Sequence, residues 1–149
     1  MKNSLSDELY ELMYNKSKKE IVSFIKKCDS SIILHNIAVN LNWDDGFDIP
    51  KAIVNNDCCD IGTALMIFDN AEGYMMFFDE EWKELLGKNS EFISEMKKRI
   101  EKRDFKNSNI RYVPELSKTD VFKLKKYHPE LDSLFIDGTD GKEIEIVVI

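Results

Sequence analysis

The chain has 149 residues, 43% apolar and 33% charged, the make-up of one globular, water-exposed domain. Its formal net charge is −7, which disfavours nucleic acid as a partner, and no apolar run approaches the roughly 18 residues of a membrane span. Cys28, Cys58 and Cys59 form no CxxC pair and read as reduced thiols, and the N-terminus turns acidic and amphipathic at once, so the expectation is a cytoplasmic protein with no secretory signal.

The elements follow in order. Leu5, Leu9, Leu12 and Met13 recur at helical spacing and predict a helix over 5–14, with Ser4 or Ser6 as cap. A second is predicted over 18–28, opened by a Ser17/Glu20 capping box and closed by Lys26 and Lys27 at the negative end of its dipole. A third, over 31–41, has a wide apolar arc of Ile33, Leu34, Ile37, Ala38 and Leu41, which predicts a central position. His35 lies in it and reads as a half-buried helix residue.

The loop Asn42–Asp48 follows, with Gly46 placed for a positive φ and Trp43 and Phe47 flanking it as plugs for the core. Pro50 suits the first position of a short helix over 50–55 and pushes Ile49 out of helical geometry. Asp60 caps a helix with the core stripe Ile61, Ala64, Leu65 and Phe68, ended or bent at Glu72-Gly73. Tyr74–Phe78 is too apolar for the surface, and its period fits helix or extended chain alike. A short helix over 80–86 is capped by Asp79 and closed by Gly87. Ser90 caps another over 91–103, with Phe92, Ile93, Met96 and Ile100 inward and Lys97, Lys98, Arg99, Lys102 and Arg103 outward. That basic face reads as solvated, since no nucleic-acid motif or aromatic interleaving accompanies it.

After residue 104 the pattern changes. Ile110–Val113 reads as a short strand, and Ser117 or Thr119 opens a helix to Lys126. Leu134–Ile136 and Ile144–Val148 alternate or are β-branched, with DGTDGK between them, and predict a C-terminal β-hairpin. The fold expected is mainly α, a compact multi-helix single domain. Residues 31–103 form its helical core and 104–149 an α/β extension.

The central stretch resembles a bacterial family known as domain of unknown function 4274. The resemblance is carried by Asn42, Trp43, Asp44, Asp45, Gly46, Ile49 and Pro50, then by Cys59, Asp60, Gly62, Thr63, Ala64, Leu65 and Phe68. The SKTDVFKLKK segment at 117–126 is also similar. At Asp57-Cys58 the chain departs from the family pattern, which has asparagine or proline in that loop. The resemblance implies a compact α-helical bacterial domain and supplies no chemistry. It also implies a setting near polymorphic toxin systems, where acidic single-domain proteins serve as immunity factors.

Charge is unevenly spread. Residues 42–84 hold eleven acids and two bases, while residues 85–128 hold six acids and twelve bases. Two functional readings follow from side-chain chemistry alone. Asn42, Asp44, Asp45 and Asp48 offer oxygens to a hard cation, but their spacing is not that of an EF-hand and capping explains them. Catalysis could use paired acids, as in Asp79-Glu80-Glu81 or Asp44-Asp45, or a cysteine beside a histidine, but adjacent acids are common on surfaces and nothing favours the Cys/His couple; there is no P-loop and no GxGxxG. The expectation is therefore a non-enzyme with no cofactor and no metal site.

The acidic block beside aromatics favours a protein that binds and neutralises a basic partner, an immunity protein facing a bacterial toxin, with a nuclease as one such toxin. The residues expected to bind it are Asp44, Asp45, Asp48, Asp79, Glu80, Glu81 and Trp82. The alternatives are a structural or adaptor module, monomeric or weakly homodimeric, and an enzyme of unknown reaction.

Overall fold

The computed structural model describes residues 4–149. The expectation about the N-terminus as a non-secretory segment rests partly on residues 1–3, outside the described residues. Among the described residues the chain is helical, and no helix is long and apolar enough to cross a membrane.

Local signals place the first helices. α1 (Leu5–Asn15) starts where Ser4 accepts the Asp7 N–H at 3.1 Å. α2 (Lys18–Lys27) carries the full capping box, with Ser17 and Glu20 each accepting the other's backbone N–H. α3 (Ser31–Val39) is capped by Ser30, and a 3-10 turn at Trp43–Asp45 by Asn42. α4 runs Asp48–Val54, earlier than the spacing predicts. Pro50 sits third in it and Ile49 is helical and buried. First-turn N–H groups have no intrahelical acceptor, so a proline there removes nothing.

The centre belongs to α5 (Ile61–Asn70), in which every residue from Ile61 to Phe68 is buried. α3 and α4 cover one part of it and α8 (Asn89–Glu101) another. The apolar stripe read from the sequence is only one of its contact faces; Thr63, Met66 and Ile67 are covered as well. α6 (Met75–Phe78) and α7 (Trp82–Leu86) are single-turn pieces leading into α8. α9 (Lys118–Tyr127) and α10 (Leu134–Asp137) add Leu124, Leu134 and Phe135 to the same core. Phe135 packs edge-on against Phe68 at 5.3 Å between centroids, and its carbonyl accepts the Tyr74 hydroxyl at 2.6 Å.

Asp60 ties this centre to the returning chain. Its carboxylate is fully buried and accepts three backbone N–H groups: Gly62 at 2.8 Å, Asn109 at 2.6 Å and Ile110 at 3.2 Å. The Ile61 N–H meets the Asn107 carbonyl at 3.0 Å alongside. Gly62 is required because the Ile110 carbonyl lies where a Cβ would stand. The Cys59-Asp60-x-Gly62-Thr63 stretch is thus a clasp between the α5 N-terminus and residues 107–110.

The C-terminal β-hairpin is not formed, and residues 104–149 are not an α/β unit. Among the described residues there is no strand, only isolated parallel bridges at Asp60/Asn107 and Ile110/Lys142. Leu134–Ile136 belongs to α10, and Ile110–Val113 makes that one bridge only. Residues 144–149 are extended but lie along α3, where asparagine side chains replace a partner strand. Asn36 accepts the Val147 N–H at 2.8 Å and donates to the Glu145 carbonyl at 3.4 Å. Asn40 donates to the Val147 carbonyl at 2.7 Å and accepts the Ile149 N–H at 3.0 Å.

The match is metric. Four helical residues rise about 6 Å and two extended residues about 6.6 Å, so carboxamides at i and i+4 meet every second residue of a strand. The period-2 signal was real, and its partner was a helix. The DGTDGK segment packs on residues 109–112 instead of reversing a hairpin. The Thr139 hydroxyl donates to the Ile110 carbonyl and accepts the Tyr112 N–H, each at 2.8 Å.

Candidate functional site

The acidic residues predicted to bind a partner fall into two separate places. Asp44, Asp45 and Asp48 lie around the 3-10 turn, exposed, with Trp43 and Phe47 half-buried beneath them. Phe47 stacks edge-on between Trp43 at 5.6 Å and Phe92 of α8 at 5.1 Å, which fixes the loop on the core. The Asn42 side chain is used as the cap, accepting the Asp44 N–H at 3.1 Å. Lys18 of α2 reaches across to Asp48 at 3.4 Å and to the Asp45 carbonyl at 2.9 Å, so this cluster is partly neutralised.

Asp79, Glu80 and Glu81 form the second place, the turn between α6 and α7. All three are exposed, and none takes part in an ion pair among the described residues. Asp79 shapes the turn by accepting the Glu81 N–H at 2.9 Å. Asp79 and Glu80 border a cavity of about 620 Å³, walled by Phe77, Phe78, Trp82, Tyr127 and His128, with Lys123 also lining it. His128 holds the wall in place: its Nε2 donates to the Phe77 carbonyl at 2.7 Å, and its ring stacks edge-on to Phe77 at 5.4 Å. Phe78 is 41% exposed and Tyr127 65%.

Trp82 is 9% exposed and packs into the core, lining the cavity from its inner side. Periodicity could not separate its face of α7 from that of Leu85, which is 59% exposed. Tyr127 and His128, which the sequence reading did not single out, complete the cavity. They lie about fifty residues along the chain, and no local pattern connects them to the acids.

His35 is buried outright rather than half-buried, and its Nδ1 is 2.8 Å from the Thr63 hydroxyl. Burial pushes its pKa below the ordinary 6.5, with the Asp60 charge opposing. Burial pushes the Cys59 thiol up to about 12, and raises that of Cys28 too, so both stay protonated at neutral pH. Asp69 is raised by burial, against the hydrogen bond it accepts from the Tyr112 hydroxyl at 2.6 Å. Among the described residues no three His, Cys, Asp or Glu side chains converge as a metal-binding group.

His35 gives a pH prediction. Its folded pKa lies below its unfolded one, so the unfolded chain takes up the proton first. The stability due to neutral His35 is complete above about pH 6.5 and declines as pH falls below it. Thermal melts from pH 7.5 to pH 5.5 are expected to show a falling midpoint, with a shallower fall in His35→Gln. Asp69 contributes with the opposite sign in both chains, so the difference between them isolates the imidazole.

Comparison with known proteins gives one match: a family model, described as a domain of unknown function (DUF4274), over residues 29–105. No curated protein and no solved structure matches the chain. The matched stretch holds both acidic clusters and the Asp60 clasp, while Tyr127 and His128 lie beyond it.

Proposed function

The chain belongs to the family of the domain of unknown function DUF4274, and from that premise we propose that it is a non-catalytic binding protein that neutralises a basic protein partner. The partner class we infer is a bacterial toxin domain, which the chain would meet in the cytoplasm as its immunity protein. One observation carries the reading: Asp79, Glu80 and Glu81 are exposed, form no ion pair among the described residues, and lie beside the ring-walled cavity at Phe78 and Tyr127, where Lys123 is the one lysine or arginine in the lining. Carboxylates around an aromatic recess suit an arginine or lysine side chain, whose head is attracted by the acids and whose stem lies on the rings. Unpaired acids at the rim also speed encounter with a cationic surface.

The test uses the product of the adjacent gene, expressed with and without this chain. Growth arrest by that product and rescue by the chain are expected. The double substitution Glu80→Lys/Glu81→Lys is expected to weaken binding about 100-fold, mostly through slower association at low salt. Both positions are exposed and neither side chain makes a hydrogen bond among the described residues, so the thermal midpoint should not move. An adjacent product that is not basic, or affinity unchanged in the double variant, would sink the reading.

A further inference from the structure

The geometry points to the groove between α2 and α4 as a docking site for an acidic peptide segment of a protein partner. This goes beyond the proposed function and does not rest on it, because the groove has the opposite charge and shares no lining residue with the cavity at the Asp79–Glu81 turn. It encloses about 1050 Å³, and Lys18, Lys19, Lys26, Lys27 and Lys51 line it. Only Asp48 and Asp57 answer them there, and both are engaged: Asp48 pairs with Lys18 and Asp57 with Lys106, each at 3.4 Å. Lys19, Lys26, Lys27 and Lys51 form no ion pair among the described residues. A chain of net charge −7 thus keeps a groove whose field is positive.

The shape selects the ligand. Lys18/Lys19 and Lys26/Lys27 stand eight residues apart on α2, about 12 Å along its axis. Between them the floor is apolar or weakly polar, with Val22, Ala52, Cys28 and Cys58. An extended peptide rises about 13 Å over four residues, so acids four apart would meet both lysine pairs while the apolar side chain between them on the same face fills the floor. Nucleic acid fits less well, because no aromatic ring lines the groove to stack a base. A small phosphate fits less well too. The Asn56 amide nitrogen already donates to the Ile25 carbonyl at 2.6 Å and the Cys28 carbonyl at 2.9 Å, and a lone phosphate beside Ser23 or Asn55 would meet one lysine pair and leave the other, about 12 Å away, unanswered.

The experiment is fluorescence anisotropy on the full chain with a labelled hexapeptide, Glu-Glu-Leu-Val-Glu-Glu. The controls are its glutamine counterpart and labelled oligothymidylate. Saturable binding of the acidic peptide is expected, weakening about tenfold when salt rises from about 50 to about 300 mM. Lys26→Glu/Lys27→Glu should weaken it at least about tenfold. If that pair disturbs the α2 C-terminus, seen as loss of helical circular dichroism, Lys19→Gln/Lys51→Gln gives the same reading without charge reversal. No binding of the acidic peptide, equal binding of the glutamine peptide, tighter binding of oligothymidylate, or undiminished affinity in a folded variant would each overturn the proposal.

Discussion

Asp60→Ala is expected to cost on the order of 4 kcal/mol in urea unfolding, enough to leave the chain at the edge of folding. The side chain is fully buried and accepts the N–H groups of Gly62, Asn109 and Ile110. Removing it strands the buried Gly62 and Ile110 donors at about 1–3 kcal/mol each, and frees the N–H of the exposed Asn109 at a smaller cost. Two losses follow together. The α5 N-terminus loses its cap, and residues 107–110 lose their anchor on it. Asp60→Asn keeps an acceptor for part of the set and should lose about half as much. If Asp60→Ala unfolds within 1 kcal/mol of the parent chain (about the value of a single cap), the clasp is not what holds the return segment.

The second large effect concerns the helix that acts as a strand's partner. Asn36→Leu/Asn40→Leu is expected to destabilise the chain by about 3 kcal/mol, through four lost hydrogen bonds to residues 145–149. Leucine has the same branching at Cγ as asparagine and favours helix, so α3 itself should persist. The change should therefore be local. The Val147 and Ile149 amides are expected to lose protection from hydrogen exchange, while amides in α5 keep it except for the overall drop. Uniform loss across the chain, or retained protection at Val147, would contradict the asparagine ladder.

The clasp and the ladder give the family residues a physical role. Asp60 and Gly62 close the α5 N-terminus on the return chain, and Thr63 reaches His35. Asn42 caps the acidic turn, while Trp43 joins the ring stack under it. Most residues that carry the resemblance hold the scaffold; Asp44 and Asp45, which also carry it, are exposed on the 3-10 turn, while Asp79 and Glu80, exposed on the other turn, are not among them.

What the sequence determined by itself were features closed within a few residues. Ser17 with Glu20, Ser117 with Asp120, Asp60 with Gly62 and the turn at Gly87 are all contacts over two to four positions. Each helix they bound, and the exposure of the acids in polar turns, could be read from spacing and residue type. Tertiary structure alone decided the burial of Trp82 and His35, the all-round covering of α5, and the meeting of Asp79 and Glu80 with Tyr127 and His128. It also decided that residues 144–149 lie on α3. Alternation shows that a segment is extended with one face covered, but an extended backbone needs donors and acceptors without regard to their source. Asn36 and Asn40 supply them from more than a hundred residues away, a distance over which neither periodicity nor capping carries information.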